Sequence, residues 1–261
     1  MDQKPWHSLV DQTVWVTGGA GYLGSAIVAE LDRQCAKVLC FDLPGRAAAL
    51  VAERGLQRTV PLNLDVSDVA GAPVAIAALV DQHGLPDSFV HLPTATSKGL
   101  LLSELPVADF RRTFDAALTP TFVFCRELAE RMKARGTGAF VLFASMYGMV
   151  APDPRIYHPP MRPNPVDYGA AKAALIQLTR YLATYYGSSG LRFNCVTPGP
   201  FPNPRIQAAD PRFIKDLGQK TALGRIGGNH EIVGPTLFLL TASASYVTGH
   251  SLVVDGGWTA Y

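Results

Sequence analysis

Residues 17–24 read Thr17-Gly18-Gly19-Ala20-Gly21-Tyr22-Leu23-Gly24, and they lie between two segments of different periodicity. Before them, Thr13 to Thr17 is an apolar run rich in β-branched residues, the pattern of a buried strand. After them, Leu23, Ile27, Val28 and Leu31 recur at helical spacing. Glycines at a strand-to-helix turn permit positive φ and let the backbone approach a pyrophosphate, whose charge is met by free amides at the helix N-terminus. Three glycines can also make a plain tight loop; the strand before and the helix after point to dinucleotide binding. Gly18, Gly21, Tyr22, Leu23 and Gly24 are therefore candidate cofactor-binding residues.

Outward from this turn, further apolar runs occur at Lys37 to Phe41, Thr59 to Val66, Ser88 to Leu92, Ala139 to Ser145, Leu191 to Val196 and Ser251 to Val254. Between them lie helical patterns, such as Phe114, Leu118, Phe122 and Leu128, and Leu175, Leu178 and Leu182. Strands alternating with helices imply parallel βαβ units. The expectation is an α/β, doubly wound fold whose seven-stranded parallel sheet has helices on both faces. Such sheets bind ligands beyond the carboxyl ends of their strands.

The chain has 261 residues, a net charge of +2, 17% charged and 48% hydrophobic residues, which fits one folded domain spanning residues 1–261. Basic residues are scattered singly, so no nucleic-acid partner is expected. Cys35, Cys40, Cys125 and Cys195 sit apart and read as reduced core thiols, neither a zinc site nor a disulfide framework. No secretory signal or membrane-spanning stretch is seen, and a cytoplasmic location is the expectation. Val150 to Asp167 contains six prolines and reads as a loop.

Asp42 closes the second run, followed by Leu43, at the distance from the glycine turn where a carboxylate accepts hydrogen bonds from an adenosine ribose. Its charge would repel a 2′-phosphate, which favours NAD over NADP, although Arg46 nearby leaves NADP open. Asp65 and Val66 either frame the adenine or, for Asp65, cap the next helix. At the other end of the sheet Ser145 ends the fifth run, and Tyr168 and Lys172, four apart, share a helix face. An ammonium beside a phenol stabilises the phenolate, so Tyr168 could exchange a proton with a substrate oxygen that Ser145 also binds.

With these residues the chain resembles the short-chain dehydrogenase/reductase superfamily over essentially its whole length. Asn194-Cys195-Val196-Thr197-Pro198-Gly199-Pro200 is similar to the family's proline-glycine turn near the nicotinamide, and Val254-Asp255-Gly256-Gly257 to its closing strand. The resemblance implies Ser145 as the orienting serine, Tyr168 as the acid/base and Lys172 as the residue that holds the nicotinamide ribose and tunes Tyr168. It places Leu92, Pro93, Pro198, Gly199 and Phe201 against the cofactor, and it implies a homodimer or homotetramer paired through the helices around Phe114 to Met132 and Tyr168 to Tyr186. Three features resemble instead the longer, sugar-nucleotide-modifying branch: the spacing Gly21-Tyr22-Leu23, the turn Val90-His91-Leu92-Pro93-Thr94-Ala95, and the long separation of Ser145 from Tyr168. Where the compact branch often carries a proton-relay asparagine, the best-matched residue is Ala117.

The substrate is expected to be shaped by the loop at 150–167 and by a lid at 200–217. Arg155, His158, Arg162 and Arg205 are candidates for a phosphate or carboxylate, with ordinary surface charge as the alternative. The leading expectation is NAD(P)-dependent interconversion of a secondary alcohol and a ketone, on a carbohydrate-like small molecule. A redox-neutral sugar-nucleotide epimerase or dehydratase, and a dinucleotide-binding protein without catalysis, are the alternatives.

Overall fold

The computed structural model describes residues 7–35, 37–97 and 100–260. Seven strands form one sheet in the order β3-β2-β1-β4-β5-β6-β7, and every neighbouring pair is parallel. They are β1 (Thr13–Thr17), β2 (Lys37–Asp42), β3 (Thr59–Asn63), β4 (Ser88–His91), β5 (Gly138–Phe143), β6 (Leu191–Pro198) and β7 (Ser251–Val254). The fold is the doubly wound one anticipated. β3 is three residues shorter than its apolar run, because it is an edge strand whose Pro61, lacking an N–H, is tolerated there. The break in strand order between β1 and β4 opens a crevice at the carboxyl edge.

One face of the sheet is covered by α1 (Tyr22–Gln34), α2 (Arg46–Arg54) and α8 (Val233–Leu240), with Val14, Val16, Ile27, Leu31, Val141 and Leu239 in its core. The other is covered by α3 (Ala72–His83), α4 (Val107–Met132) and α5 (Val166–Tyr186), around Phe89, Phe124, Leu128, Phe140, Leu175 and Phe193. The two short helices α6 (Pro204–Ala209) and α7 (Pro211–Gln219) rise after β6. All four cysteines are buried and free, and burial pushes the thiols of Cys35 and Cys40 up to about 12.

The helical spacing at Phe114 to Leu128 is realised in α4, where Leu118 and Leu128 pack on the core, whereas Phe122 of the same pattern is 42% exposed and Ala117, Thr121 and Phe124 are buried. Both sides of this helix carry apolar residues, so periodicity alone did not say which one the sheet would cover. The loop beginning at Val150 ends two residues earlier than its composition implied: Val166 and Asp167 belong to the first turn of α5, and Asp167 is fully buried. No helix among the described residues is long and apolar enough to cross a membrane.

Candidate active site

The site begins with the turn after β1. Gly18 has φ +70°, a conformation that favours glycine, and its N–H and that of Gly19 both reach the carbonyl of Phe41 on β2. A side chain at Gly24 would collide with the carbonyl of Gly18, so this glycine lets α1 start directly against the turn. α1 has no side-chain cap, and its first amides face the crevice end of the turn without intrahelical partners. This cradle fits a pyrophosphate.

Next to it, Asp42 is 5% exposed and rigidly held: one carboxylate oxygen accepts from the N–H of Ala20 at 2.9 Å, and the other accepts from Leu43 N–H at 2.9 Å and faces Arg46 at 2.9 Å. Asp42, Leu43, Asp65, Val66, Leu92 and Pro93 line one continuous hollow with Gly18 and Gly21. Asp65 does not cap α3. Its carboxylate accepts from the N–H and hydroxyl of Ser67, which hold it below its ordinary value, while Asp68 accepts from Gly71 N–H just before the helix.

The hollow continues past Tyr22, Leu23, Gly24 and Phe201 to Ser145, Tyr168 and Lys172, with Pro198 and Gly199 on its border. Gly199 lies so close to Asp255 that a side chain there would strike its backbone, so the end of β6 and the segment after β7 form one wall. Ser145, Tyr168 and Lys172 are brought together by two glycines. Any side chain at Gly148 would meet the backbone of Lys172 and Ala173, and one at Gly169 would meet the carbonyl of Tyr147. The short turn Met146–Gly148 can therefore press against α5 and deliver the strand-end serine to the tyrosine.

The Ser145 side chain beside the phenol of Tyr168 lowers its pKa, but burial outweighs this and raises it above the usual value. Lys172 is 3% exposed; its ammonium donates to the carbonyl of Phe143 at 2.6 Å and lies 5.7 Å from the centre of the Tyr168 ring. Burial pushes it down to about 8. The lysine is thus in place beneath the tyrosine, with its hydrogen bond directed to the strand end. The pKa of Tyr168 responds here to burial and Ser145, whereas the spacing alone had pointed to the lysine.

Several positioning residues carried no motif. His91 places Nδ1 2.7 Å from the hydroxyl of Thr17, joining β1 to β4, and its ring packs on Phe124; burial, with the charge of Lys172, pushes it down to about 3. Asp167, adjacent to Tyr168, accepts from Ser97 N–H at 2.9 Å, Ser97 hydroxyl at 2.7 Å and Thr113 hydroxyl at 2.5 Å. Burial opposes its charge, but these bonds outweigh it and hold the carboxyl below its ordinary value. No local signal in the sequence marks this cluster, because Ser97 and Thr113 lie 70 and 54 residues before Asp167. Ala117 is buried on α4, and its carbonyl accepts from the Thr121 hydroxyl at 2.8 Å.

Beyond Ser145 and Tyr168 a second cavity opens between the loop after Met146 and α6 and α7. Loop and helices are latched: His158 Nε2 lies 2.6 Å from the Asp216 carboxylate, and Lys220 Nζ 2.7 Å from that of Asp153. Most of the cations expected to receive an anion are already paired, Arg155 with Asp153 and Arg162 with Glu104, while Arg205 sits exposed on α6.

A family model described as enoyl-(acyl carrier protein) reductase matches residues 19–259. A 2,5-dichloro-2,5-cyclohexadiene-1,4-diol dehydrogenase of Sphingobium indicum is 30% identical over 256 residues, covering 97% of this chain and 98% of the relative. A cis-4-hydroxycyclohexanecarboxylate dehydrogenase of Sinomonas cyclohexanicum is 30% identical over 260 residues, with the same two coverages of 97% and 98%. Among solved structures, a short-chain dehydrogenase of Leptospira borgpetersenii with bound NAD+ superposes with a TM-score of 0.85 at 29% identity, covering 99% of this chain and 97% of that one. These matches span the strand-end serine and the helix bearing Tyr168 and Lys172, and the chain belongs to the short-chain dehydrogenase/reductase superfamily of NAD(P)-dependent enzymes.

Proposed function

We propose that the protein interconverts a secondary alcohol and a ketone on a small ring, with NAD as the preferred cofactor and Tyr168 as the acid/base. The observation that carries this reading is the meeting of the two cavities at Ser145 and Tyr168, which line both. Bound in the long hollow, the nicotinamide would give or take the hydride. Raised by burial, the Tyr168 phenol carries its proton at neutral pH and can donate it to a carbonyl oxygen that Ser145 also contacts. In the oxidative direction Tyr168 must first give up its proton, and the phenolate then takes the alcohol's; the Lys172 ammonium 5.7 Å from its ring centre favours that anion. Two of the three N–H groups of Lys172 are not used by Phe143 and are available for ribose hydroxyls.

The buried Asp42 carboxylate supports NAD, since a 2′-phosphate would meet it at short range; Arg46 is its counter-ion and not a free phosphate ligand. The mostly apolar second cavity supports a ring substrate of the size named for the Sphingobium and Sinomonas relatives. Pairing of Arg155, His158 and Arg162 favours an unphosphorylated carbohydrate over a phosphorylated one, for which Arg205 is the candidate ligand not paired in this way. Exposed Phe122, Tyr181 and Tyr185 on α4 and α5 support pairing with a second copy through these helices, which light scattering would test.

The test is a screen of cyclic alcohols and unphosphorylated sugars for NAD and NADP reduction, repeated with Tyr168→Phe. Turnover should vanish in the variant while NADH still binds. Turnover that survives would remove Tyr168 from its role, and a substrate consumed with no net NADH absorbance would favour redox-neutral chemistry.

A further inference from the structure

Two residues that line the long hollow, Tyr22 at the start of α1 and Phe201 after β6, come from distant parts of the chain. A third segment, residues 225–231, touches both. The N–H of Gly227 donates to the carbonyl of Pro200 at 3.0 Å, and a side chain on Gly227 would lie 2.5 Å from the Phe201 ring, so the glycine leaves room for that ring. Two residues further on, Asn229 Nδ2 donates to the carbonyl of Tyr22 at 3.1 Å, across 207 positions of sequence.

The segment is braced from within. Arg225 grips the Glu231 carboxylate at two points, each 2.7 Å long, and Glu231 Oε2 also accepts from the N–H of Gly228 at 2.9 Å. Gly227 and Asn229 are therefore two arms of one bracket, the first against Phe201 and the second against α1. The glycine turn is held by other means, since Gly18 and Gly19 bond to the Phe41 carbonyl and α1 packs on the turn at Gly24. Phe201, which lines both cavities, takes its seat from Gly227. The Tyr22 carbonyl accepts a second side-chain bond, from the Ser25 hydroxyl at 3.2 Å, but that bond stays within α1 and bridges nothing.

We infer that Asn229 is a positioning residue for the cofactor: through it the bracket fixes the gap between the start of α1 and the Phe201 wall, and so the width of the hollow toward its nicotinamide end. This rests on the reading of the long hollow as the dinucleotide site. No described residue of the bracket lines the part of the hollow that contains Asp42, Leu43 and Asp65. Losing the Asn229 bond should therefore be felt by a ligand that must reach both ends, and not by one confined to the adenosine end.

Titration calorimetry compares NADH with ADP on the unaltered protein and on three variants. In Asn229→Ala the affinity for NADH should fall about fivefold, the worth of one neutral hydrogen bond, while that for ADP stays within about twofold. Ser25→Ala, which removes the local bond to the same carbonyl, should leave both ligands within about twofold. Gly227→Ala displaces the Phe201 ring without touching Tyr22 and should repeat the selective loss of NADH; it reads the same effect should Asn229→Ala fail to fold. An unchanged NADH affinity in Asn229→Ala or Gly227→Ala, equal losses of NADH and ADP, or an equal effect of Ser25→Ala would overturn the inference. If the unaltered protein binds NADH no more tightly than ADP, the reading of the hollow as a dinucleotide site falls, and the inference with it.

Discussion

Asp167 offers a sharp test of how the site is held. Its Oδ2 accepts from Ser97 N–H and Thr113 hydroxyl, and its Oδ1 accepts from Ser97 hydroxyl, so one carboxylate ties the segment after β4 and the first turns of α4 to the start of α5. In Asp167→Ala the hydroxyls can rotate toward other acceptors, but the Ser97 N–H cannot. An orphaned amide costs about 1–3 kcal/mol and each lost bond to a charged group adds about 1 kcal/mol, giving a loss of about 4 kcal/mol. At about 2–4 °C per kcal/mol for a chain of this size, the melting temperature should fall by roughly 10 °C. Asp167→Asn behaves differently. Its carbonyl oxygen can take the Oδ2 position and keep two of the bonds, while its amide, at the Oδ1 position, donates to a Ser97 hydroxyl that turns to accept. That variant should lose only about 1 kcal/mol.

The pH dependence has a definite sign. Because the folded-state pKa lies below the ordinary aspartate value, the carboxylate's stabilisation is complete above that ordinary value and fades as pH falls through the lower, folded one. The difference between the native protein and Asp167→Asn, followed by circular dichroism melts, should stay constant from neutral pH down to about 5 and shrink only below about 4. Equal destabilisation by Ala and Asn would refute the network as drawn, as would a gap that grows with acid.

Gly24→Ala should leave the far-ultraviolet spectrum intact and weaken NADH binding tenfold or more, about 1.4 kcal/mol, because the new methyl group pushes into the Gly18 carbonyl and distorts the turn; fluorescence titration reads this. Lys172 is pushed down to about 8, so NADH affinity that depends on its ammonium should weaken as pH rises through about 8, and in Lys172→Met the same titration should be flat. An identical slope in both proteins would exclude the lysine from cofactor binding. Asp153→Ala removes the carboxylate that pairs with Arg155 and Lys220; trypsin should then cut the loop faster, while global stability changes by about 1 kcal/mol, since the Arg155 end of the network is exposed to solvent.

What could be read from the chain was what local spacing encodes. A glycine turn between a strand and a helix, an aspartate closing the next strand, a serine ending β5 and a tyrosine four before a lysine each depend on residues near in sequence, and the parallel sheet gathers them at one edge. Contacts between distant residues of no fixed period were not legible. The buried face of α4 could not be chosen while both faces were apolar, and only docking on the sheet put Ala117 and Phe124 inward and Phe122 outward. The tertiary structure alone directed Lys172 to the Phe143 carbonyl and neutralised Arg155, His158 and Arg162 with Asp153, Asp216 and Glu104. It also brought the hydroxyls of Tyr147 and Tyr157 to within 2.8 Å in the second cavity. The sequence by itself determined the fold class and which residues gather at the end of the groove, because backbone periodicity and the reach of one helical turn suffice for them. What the cavity prefers to bind was decided only when loops remote in sequence met, since hydrogen-bond pairing removes some polar groups from a ligand's reach and leaves others to meet it.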